Sequence, residues 1–112
     1  EFLCAEDMAD ACVFLMENVD FEQMVKASEI VDSEIRNTHL NIGSGEEISI
    51  RDLAYLIKDT VGFAGEIKFD PSKPDGTPRK LTDPSKLHAL GWKHQTDLPE
   101  GIRMVYDHYT SR

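Results

Sequence analysis

The chain has 112 residues, of which 40% are hydrophobic and 8% aromatic, so it can form one folded domain and is not a disordered tail. Its formal net charge of −9 argues against binding of extended nucleic acid, because an acidic protein repels a polyanion. Two cysteines are too few for a disulfide framework, and no apolar run has the length of a membrane span. We therefore expect a cytoplasmic protein without a membrane partner.

The first predicted elements are a short strand at residues 2–4 and a helix. The chain enters this apolar strand at once, without an initiating methionine, so we expect a piece of a longer protein. Asp7 is the expected N-cap of the helix. Its apolar positions are Met8, Cys12, Leu15 and Met16. Residues 18–38 are polar and acidic, which is typical of a long insertion, with room for one short helix.

The middle of the chain predicts a strand at residues 39–42, a glycine turn and a second helix. Ser49 and Asp52 are similar to a capping box, and Gly62 is well placed to end the helix. Its apolar face is formed by Ile50, Leu53, Ala54, Ile57 and Val61.

The last part of the chain predicts a strand at residues 66–69 and two helices. Asp83 followed by Pro84 is typical of a helix start, and Gly91 would end that short helix. Thr96 or Asp97 would cap the last helix, whose apolar stripe is Leu98, Ile102, Val105, Tyr106 and Tyr109. The expected fold class is α/β, as a small mixed α+β domain of short strands with three or four helices.

Several kinds of chemistry are not indicated. The turn Gly43-Ser44-Gly45 lacks the third glycine of a dinucleotide fingerprint, so a tight turn needing positive φ is the favoured interpretation. The four histidines show no metal-ligand spacing, and neither cysteine has a cationic neighbour in sequence. No tyrosine is followed by a lysine four residues later, as short-chain dehydrogenase chemistry requires. We therefore assign no catalytic, cofactor-binding or metal-binding residue to this chain.

The segment Ser72–Lys80, SKPDGTPRK, carries the strongest candidate chemistry and is called the basic loop below. It belongs to a stretch, residues 73–93, with five bases and two acids. Two prolines stiffen the loop, and Gly76 lets it turn sharply. The candidate ligand-binding residues are Lys73, Asp75, Arg79 and Lys80. Their cations suit phosphate and the carboxylate suits hydroxyl groups, which indicates a phosphorylated, hydroxyl-rich ligand; an ordinary surface loop is an equal alternative.

Four stretches carry a resemblance to a known family. They are EFL (1–3), EDMADACVFLME (6–17), NIGSGEEISIRDLAYLI (41–57) and VGFAGEIKFDPSKPDGTPRKLTDPSKLHALGW (61–92). Together they resemble the C-terminal part of the GDP-L-fucose synthases, the GDP-4-keto-6-deoxy-D-mannose 3,5-epimerase-4-reductases. KPDGTPRK with LGW is specific for this family, whereas NIGSG and SIRDLA recur across the extended short-chain dehydrogenases. Cys4-Ala5-Glu6 departs from the family pattern.

This resemblance implies that residues 1–112 are the C-terminal GDP-sugar-binding domain of an NADP-dependent enzyme, with the Rossmann domain absent. The enzyme would convert GDP-4-keto-6-deoxy-D-mannose to GDP-L-fucose, with its catalytic groups and NADP on the Rossmann domain and a homodimer as its assembly. The fragment alone is then not expected to be catalytic. Family substrate contacts carry over to Asp75 and Lys80, near the diphosphate, while Arg79 and Lys73 match the motif without an assigned role.

Two other functions stay open. The chain could belong to another NAD(P)-dependent nucleotide-sugar epimerase or dehydratase, because part of the pattern is shared across that superfamily. It could also be a non-catalytic acidic interaction module, in which the basic loop is a solvated surface segment. Binding of GDP distinguishes the first two functions from the third.

Overall fold

The computed structural model describes residues 1–28, 35 and 37–112. The helices of this part are α1 (Ala5–Asn18), α2 (Phe21–Ala27), α3 (Ile50–Val61), α4 (Ser85–Ala89) and α5 (Leu98–Thr110). Irregular segments connect them, and α3 packs against α5. None of the helices in the described ranges is long and apolar enough to cross a bilayer.

Helix α1 begins after Cys4, so the prediction that Asp7 is its N-cap is wrong. Asp7 lies within the first turn and is only 6% exposed. Its carboxylate accepts hydrogen bonds from the backbone N–H groups of Gln95 at 3.2 Å and Thr96 at 2.9 Å. A buried carboxylate needs such donors, so Asp7 ties α1 to the segment before α5 instead of capping its own helix.

Helix α2 lies in the segment 18–38 and confirms that a short helix is present there. The Asp20 side chain accepts from the Gln23 N–H, and the Gln23 side chain accepts from the Asp20 N–H, both at 2.8 Å. This reciprocal pair satisfies two backbone donors of the first turn. The predicted insertion extends over residues 29–34 and 36, which lie outside the described residues.

The predicted limits of α3 and α5 are confirmed. Ser49 Oγ accepts from the Asp52 N–H at 3.0 Å, and Gly62 follows the last turn with a φ of 68°. Asp97 accepts from the Glu100 N–H at 2.8 Å, so it is Asp97 that caps α5. These signals act within one helical turn, which is why the sequence alone located them.

Helix α4 begins at Ser85 with Pro84 as N-cap, one residue later than predicted. Asp83 accepts from the Ser85 N–H at 2.9 Å, so it still supplies an acceptor at this end. Hydrogen bonds from Ser85 lower the pKa of Asp83. Gly91, with a φ of 105°, follows the helix end as expected.

The described core is small and lies between α1 and α4. Ala11, Leu87 and Trp92 are buried. The partly buried side chains around them are Phe14, Leu15, Leu40 and Ile42. Trp92 packs back onto this core as predicted, and its Nε1 donates to Asp10 Oδ2 at 2.7 Å. The indole therefore fixes the segment after α4 against α1.

The mixed α+β prediction needs correction, because the described part of the chain is all-helical. The predicted strands at residues 2–4, 39–42 and 66–69 are irregular segments. A strand forms only where a neighbouring strand completes its backbone hydrogen bonds. Within the described ranges, none of the three segments forms a backbone hydrogen bond with another extended segment. Apolar alternation alone was therefore a misleading signal.

The fold is open for its size. Its radius of gyration is 18.1 Å, against about 13 Å for a compact domain of this length. Its accessible surface is 8668 Å², whereas a compact monomer of this mass exposes about 6,200 Å². The excess surface includes large apolar side chains, so the helices do not close a complete core among themselves.

Candidate functional site

The basic loop lies at the surface, and every residue from 70 to 83 is exposed. A turn precedes the loop, where the Asp70 carboxylate accepts from the Ser72 hydroxyl at 2.6 Å and from the Ser72 N–H at 2.9 Å. Both bonds lower the pKa of Asp70, with the hydroxyl contributing more. Such an Asx-type turn sets the direction in which the loop leaves the preceding segment.

A cleft of about 1010 Å³ separates the basic loop from the N-terminus of α3 and is called the loop cleft below. One wall is the loop segment 75–80, and the other is the segment 47–50 with Asp52. Glu1 and Phe2 complete the lining. The walls come from segments about 30 residues apart in sequence, so only the fold brings them together.

The structure brings three of the four predicted ligand-binding residues into this one cleft. Asp75, Arg79 and Lys80 all line it. Lys73 is exposed on the same loop but does not contribute to the lining. The predicted grouping of loop charges is thus partial: one carboxylate and two cations share a cavity, and the remaining cation lies outside it.

Arg79 is held by a protein carboxylate. Its Nε and Nη2 donate to the two oxygens of Glu47, each at 2.7 Å. The hydrogen bonds first, and the opposite charge second, raise the pKa of Arg79. This two-point geometry joins the loop to the segment before α3 and occupies one edge of the guanidinium.

The lining contains more carboxylates than cations, but most of them are already hydrogen-bonded. Glu1, Glu47 and Asp52 accept from Thr82, Arg79 and Ser49, respectively. Asp75 and Lys80, in contrast, form no side-chain hydrogen bond or ion pair with another described residue. Among the described residues, they are the charged groups of the loop cleft whose side chains have no protein partner.

The Glu1 carboxylate connects the glycine turn to the segment after the basic loop. Its Oε1 accepts from the Gly45 N–H at 2.8 Å, and its Oε2 accepts from the Thr82 N–H at 2.9 Å and the Thr82 hydroxyl at 2.6 Å. Burial raises the pKa of Glu1, but these bonds outweigh it and lower the pKa overall. A Cβ at Gly43 would collide with Thr82 Oγ1 and the Glu1 carboxylate, so a larger residue there would displace these two side chains.

The favoured interpretation of Gly43-Ser44-Gly45 as a tight turn is confirmed. Gly45 has a φ of 75°, a region that glycine adopts readily. The Gly45 N–H donates to Glu1, so the backbone group that a phosphate loop would present to its ligand is already bonded.

Sequence reasoning missed two residues of this site, Glu1 and Glu47. Glu1 contacts Gly45, which is 44 positions away in sequence, and Thr82, which is 81 positions away. Glu47 contacts Arg79, which is 32 positions away. Nothing in the sequence singled out these two residues, because they are two of the 14 acidic residues in segment 1–60. Only the tertiary structure identifies which of these acids face the basic loop.

A second, apolar groove of about 760 Å³ lies beside α3 and α5 and is called the helical groove below. Its apolar lining includes Leu56, Ile57, Val61, Ile102, Val105 and Tyr109. Val105 is 68% exposed and Tyr109 75% exposed. The apolar stripe predicted for α5 therefore exists, but part of it faces solvent instead of a core.

Cysteine and histidine chemistry is sparse in the described residues. Cys4 Sγ donates to the Glu6 carboxylate at 2.9 Å, and this bond lowers the pKa of Glu6. In residues 1–28, 35 and 37–112, no group of three or more His, Cys, Asp and Glu side chains is arranged to hold a metal ion.

Proteins of similar sequence come from plants and bacteria. GDP-L-fucose synthase 1 of Arabidopsis thaliana is 46% identical over 109 residues, covering 97% of this chain and 29% of that protein. GDP-L-fucose synthase of Escherichia coli K12 is 41% identical over 106 residues, covering 95% of this chain and 31% of that protein. The chain thus spans less than a third of the length of these relatives. No family model matches it.

Two solved structures are similar in both sequence and fold. A GDP-6-OMe-4-keto-L-xylo-heptose reductase from C. jejuni is 43% identical with a TM-score of 0.83, over 95% of this chain and 29% of that one. MlghC, a GDP-mannoheptose C4 reductase from Campylobacter jejuni with NADP bound, is 40% identical with a TM-score of 0.77. That likeness covers 94% of this chain and 29% of the MlghC chain.

Proposed function

Because this chain is homologous to the GDP-L-fucose synthases over about 29% of their length, we propose that it is the GDP-sugar-binding part of an NADP-dependent epimerase-reductase. In this proposal, residues 1–112 form the C-terminal domain, and a Rossmann domain outside this chain binds NADP and carries the catalytic groups. The full-length protein, a homodimer, converts GDP-4-keto-6-deoxy-D-mannose to GDP-L-fucose by 3,5-epimerisation and reduction of the 4-keto group by NADPH.

The observation that carries this proposal is the pair Asp75 and Lys80 in the loop cleft. Both line the same cavity, and neither is bonded to another described residue. A lysine ammonium is a suitable partner for a diphosphate oxygen, and a carboxylate is a suitable acceptor for ribose or sugar hydroxyls. The prolines keep the loop stiff, so less entropy is lost when a ligand orders it.

The other two loop cations have different roles in the proposal. Arg79 holds the loop against the segment before α3, because both of its contacting nitrogens are bonded to Glu47. Lys73 lies outside the cleft lining and adds only to the local positive potential. Lys80 is then the cation that neutralises the diphosphate.

We assign the helical groove to the interface with the NADP-binding domain. Support comes from the apolar side chains that the groove leaves exposed, among them Val105 at 68% and Tyr109 at 75%, since exposed apolar patches mark interaction surfaces. The length of the relatives, of which this chain matches 29% or 31%, leaves ample chain to cover it.

A second candidate function is reduction of a GDP-4-keto-heptose. The reductase acting on GDP-6-OMe-4-keto-L-xylo-heptose has an identity of 43%, close to the 46% of the plant synthase. Both substrates share the GDP moiety and differ in the sugar. The loop cleft supports either substrate, because Asp75 and Lys80 suit the shared part.

The deciding experiment measures NADPH oxidation by the full-length protein with each keto-sugar. We expect turnover with GDP-4-keto-6-deoxy-D-mannose and formation of GDP-L-fucose. Turnover with a GDP-4-keto-heptose alone would favour the second candidate. If calorimetry detects no binding of GDP or either GDP-sugar, the proposal fails and the acidic interaction module becomes the better interpretation.

A further inference from the structure

Glu1 joins three parts of the chain that are remote in sequence. One of its carboxylate oxygens accepts from Gly45 at 2.8 Å, and the other accepts from Thr82 at 2.9 and 2.6 Å. The sequence separations are 44 and 81 residues. Glu1 also lines the loop cleft itself.

The geometry requires a carboxylate at this position. Both oxygens of Glu1 face donors, and the Thr82 hydroxyl and N–H converge on one of them. A glutamine amide has one acceptor oxygen and would direct its NH₂ group toward a second donor. An aspartate lacks one methylene and does not reach both sides. Neither substitution can reproduce the full set of bonds.

Glu1 lies close in the chain and in space to the residues that shape the loop cleft. Thr82 follows Lys80 by two residues, and Gly45 precedes Glu47 by two residues. Glu47 in turn holds Arg79. Two separate ties, Glu1 with Thr82 and Glu47 with Arg79, therefore restrain the chain on both sides of Lys80.

We propose that Glu1 is a positioning residue that holds Lys80 at the correct distance from the N-terminal end of α3, so that the loop cleft is preorganised for its ligand. The ligand part of this inference rests on the proposed function. Glu1 itself need not touch the ligand, because its oxygens already accept the three bonds described. Its effect is to lower the cost of ordering the loop when a diphosphate binds.

The test compares Glu1→Gln and Glu1→Asp with Glu17→Gln in the full-length protein. Glu17 is an exposed residue of α1, so it controls for the loss of one negative charge. Loss of charge-assisted hydrogen bonds should raise KM for the GDP-sugar by about tenfold in both Glu1 variants, with kcat and KM for NADPH changed far less. Glu17→Gln should behave as wild type.

A second measurement needs no ligand. Hydrogen exchange of the Gly45 and Thr82 amides should become faster in Glu1→Gln and remain slow in Glu17→Gln, because those amides lose their carboxylate acceptor. If Glu1→Gln fails to fold, Thr82→Val removes one of the three bonds and should give a smaller rise in KM and faster exchange of the residue 82 amide, which donates to the same Glu1 oxygen.

The outcomes separate this inference from the proposed function. If wild type binds the GDP-sugar and the Glu1 variants bind it equally well, the positioning role is wrong while the function stands. If wild type binds no GDP-sugar, the function fails, and hydrogen exchange still decides whether Glu1 orders the two segments. Unchanged exchange at both amides would overturn the inference in either case.

Discussion

At the scale of single residues, three cations that look equivalent in the basic loop differ in their surroundings. Arg79 is bonded twice to Glu47, Lys80 lines the loop cleft without a protein partner among the described residues, and Lys73 lies outside the lining. Two of the five N–H donors of Arg79 are already bonded to Glu47, whereas the ammonium of Lys80 has no partner among the described residues. In our proposal, Lys80 is therefore the loop cation that neutralises the charge of the ligand.

Substitution of Lys80 tests this assignment. Lys80→Ala should raise KM for the GDP-sugar about tenfold or more, because one charge-assisted contact to the diphosphate is lost. Lys73→Ala is the matched control and should leave KM nearly unchanged. The measurement is steady-state kinetics of the full-length protein, and equal effects of the two substitutions would contradict the assignment.

A fall in pH should weaken the hydrogen bonds that the Glu1 carboxylate accepts from Gly45 and Thr82. The pKa of the folded carboxylate is lowered from its ordinary value of 4.5, so its stabilising effect is complete above that value and is lost as the pH falls through the lowered pKa. Urea unfolding of the full-length protein at a series of pH values between about 6 and 3 measures this effect. Glu1→Gln should show a shallower loss of stability than wild type in this range. Identical slopes would show that Glu1 does not contribute.

At the scale of elements, helix ends are the best-determined features of the chain. Asp20, Ser49 and Asp97 each accept a backbone N–H three residues later, and Gly62 follows α3 in the left-handed region. Each of these contacts lies within one turn of helix. These contacts set where the helices begin and end, whereas the two cavities also need contacts between segments that are distant in sequence.

Substitution of Gly62 tests whether the local backbone conformation stabilises the C-terminal end of α3. Gly62→Ala should lower the free energy of unfolding by about 1 kcal/mol, because its φ of 68° strains any residue with a Cβ, although no atom lies within 4 Å of that position. Gly76→Ala is the control, since Gly76 also has open space and has no positive φ. Chemical denaturation of the full-length protein measures both. A loss in Gly76→Ala as large as that in Gly62→Ala would argue against backbone strain as the cause.

At the scale of the whole molecule, the chain exposes a helical groove that a complete protein is expected to cover. α3 and α5 pack together through part of their apolar faces, and the rest, including Val105 and Tyr109, faces solvent. The principal extents of the molecule are 58 × 36 × 18 Å. The buried core lies between α1 and α4, so it does not cover the exposed apolar face of α3 and α5.

A charge placed in the helical groove tests whether it is an interface. Val105→Lys should lower Tm of the full-length protein by about 4 °C or more, because an interface would bury the ammonium without a partner. Asp107→Lys, an exposed position on the same helix, should change Tm far less. Thermal unfolding monitored by circular dichroism compares them, and equal shifts would show that the groove is open to solvent in the full-length protein.

The sequence by itself determined the local features of this protein. The caps of α3 and α5, the glycine that ends α3 and the tight turn at Gly45 were predicted and are present, whereas the caps predicted for α1 and α4 were wrong. The resemblance to GDP-L-fucose synthases was also readable, since its motifs are contiguous and the homology holds over 97% of the chain. Such features depend on neighbours within a few residues, or on sequence identity itself.

Only the tertiary structure decided the features that need a distant partner. The three predicted strands failed because a strand depends on hydrogen bonds from a neighbour, and none is present in the described ranges. Glu1 and Glu47 were invisible among many acids until the fold placed them against Thr82 and Arg79. Strand pairing and ion pairing depend on residues that are distant in the sequence, whereas caps and turns depend on residues within one turn. The sequence therefore predicted contacts of the second kind and missed those of the first.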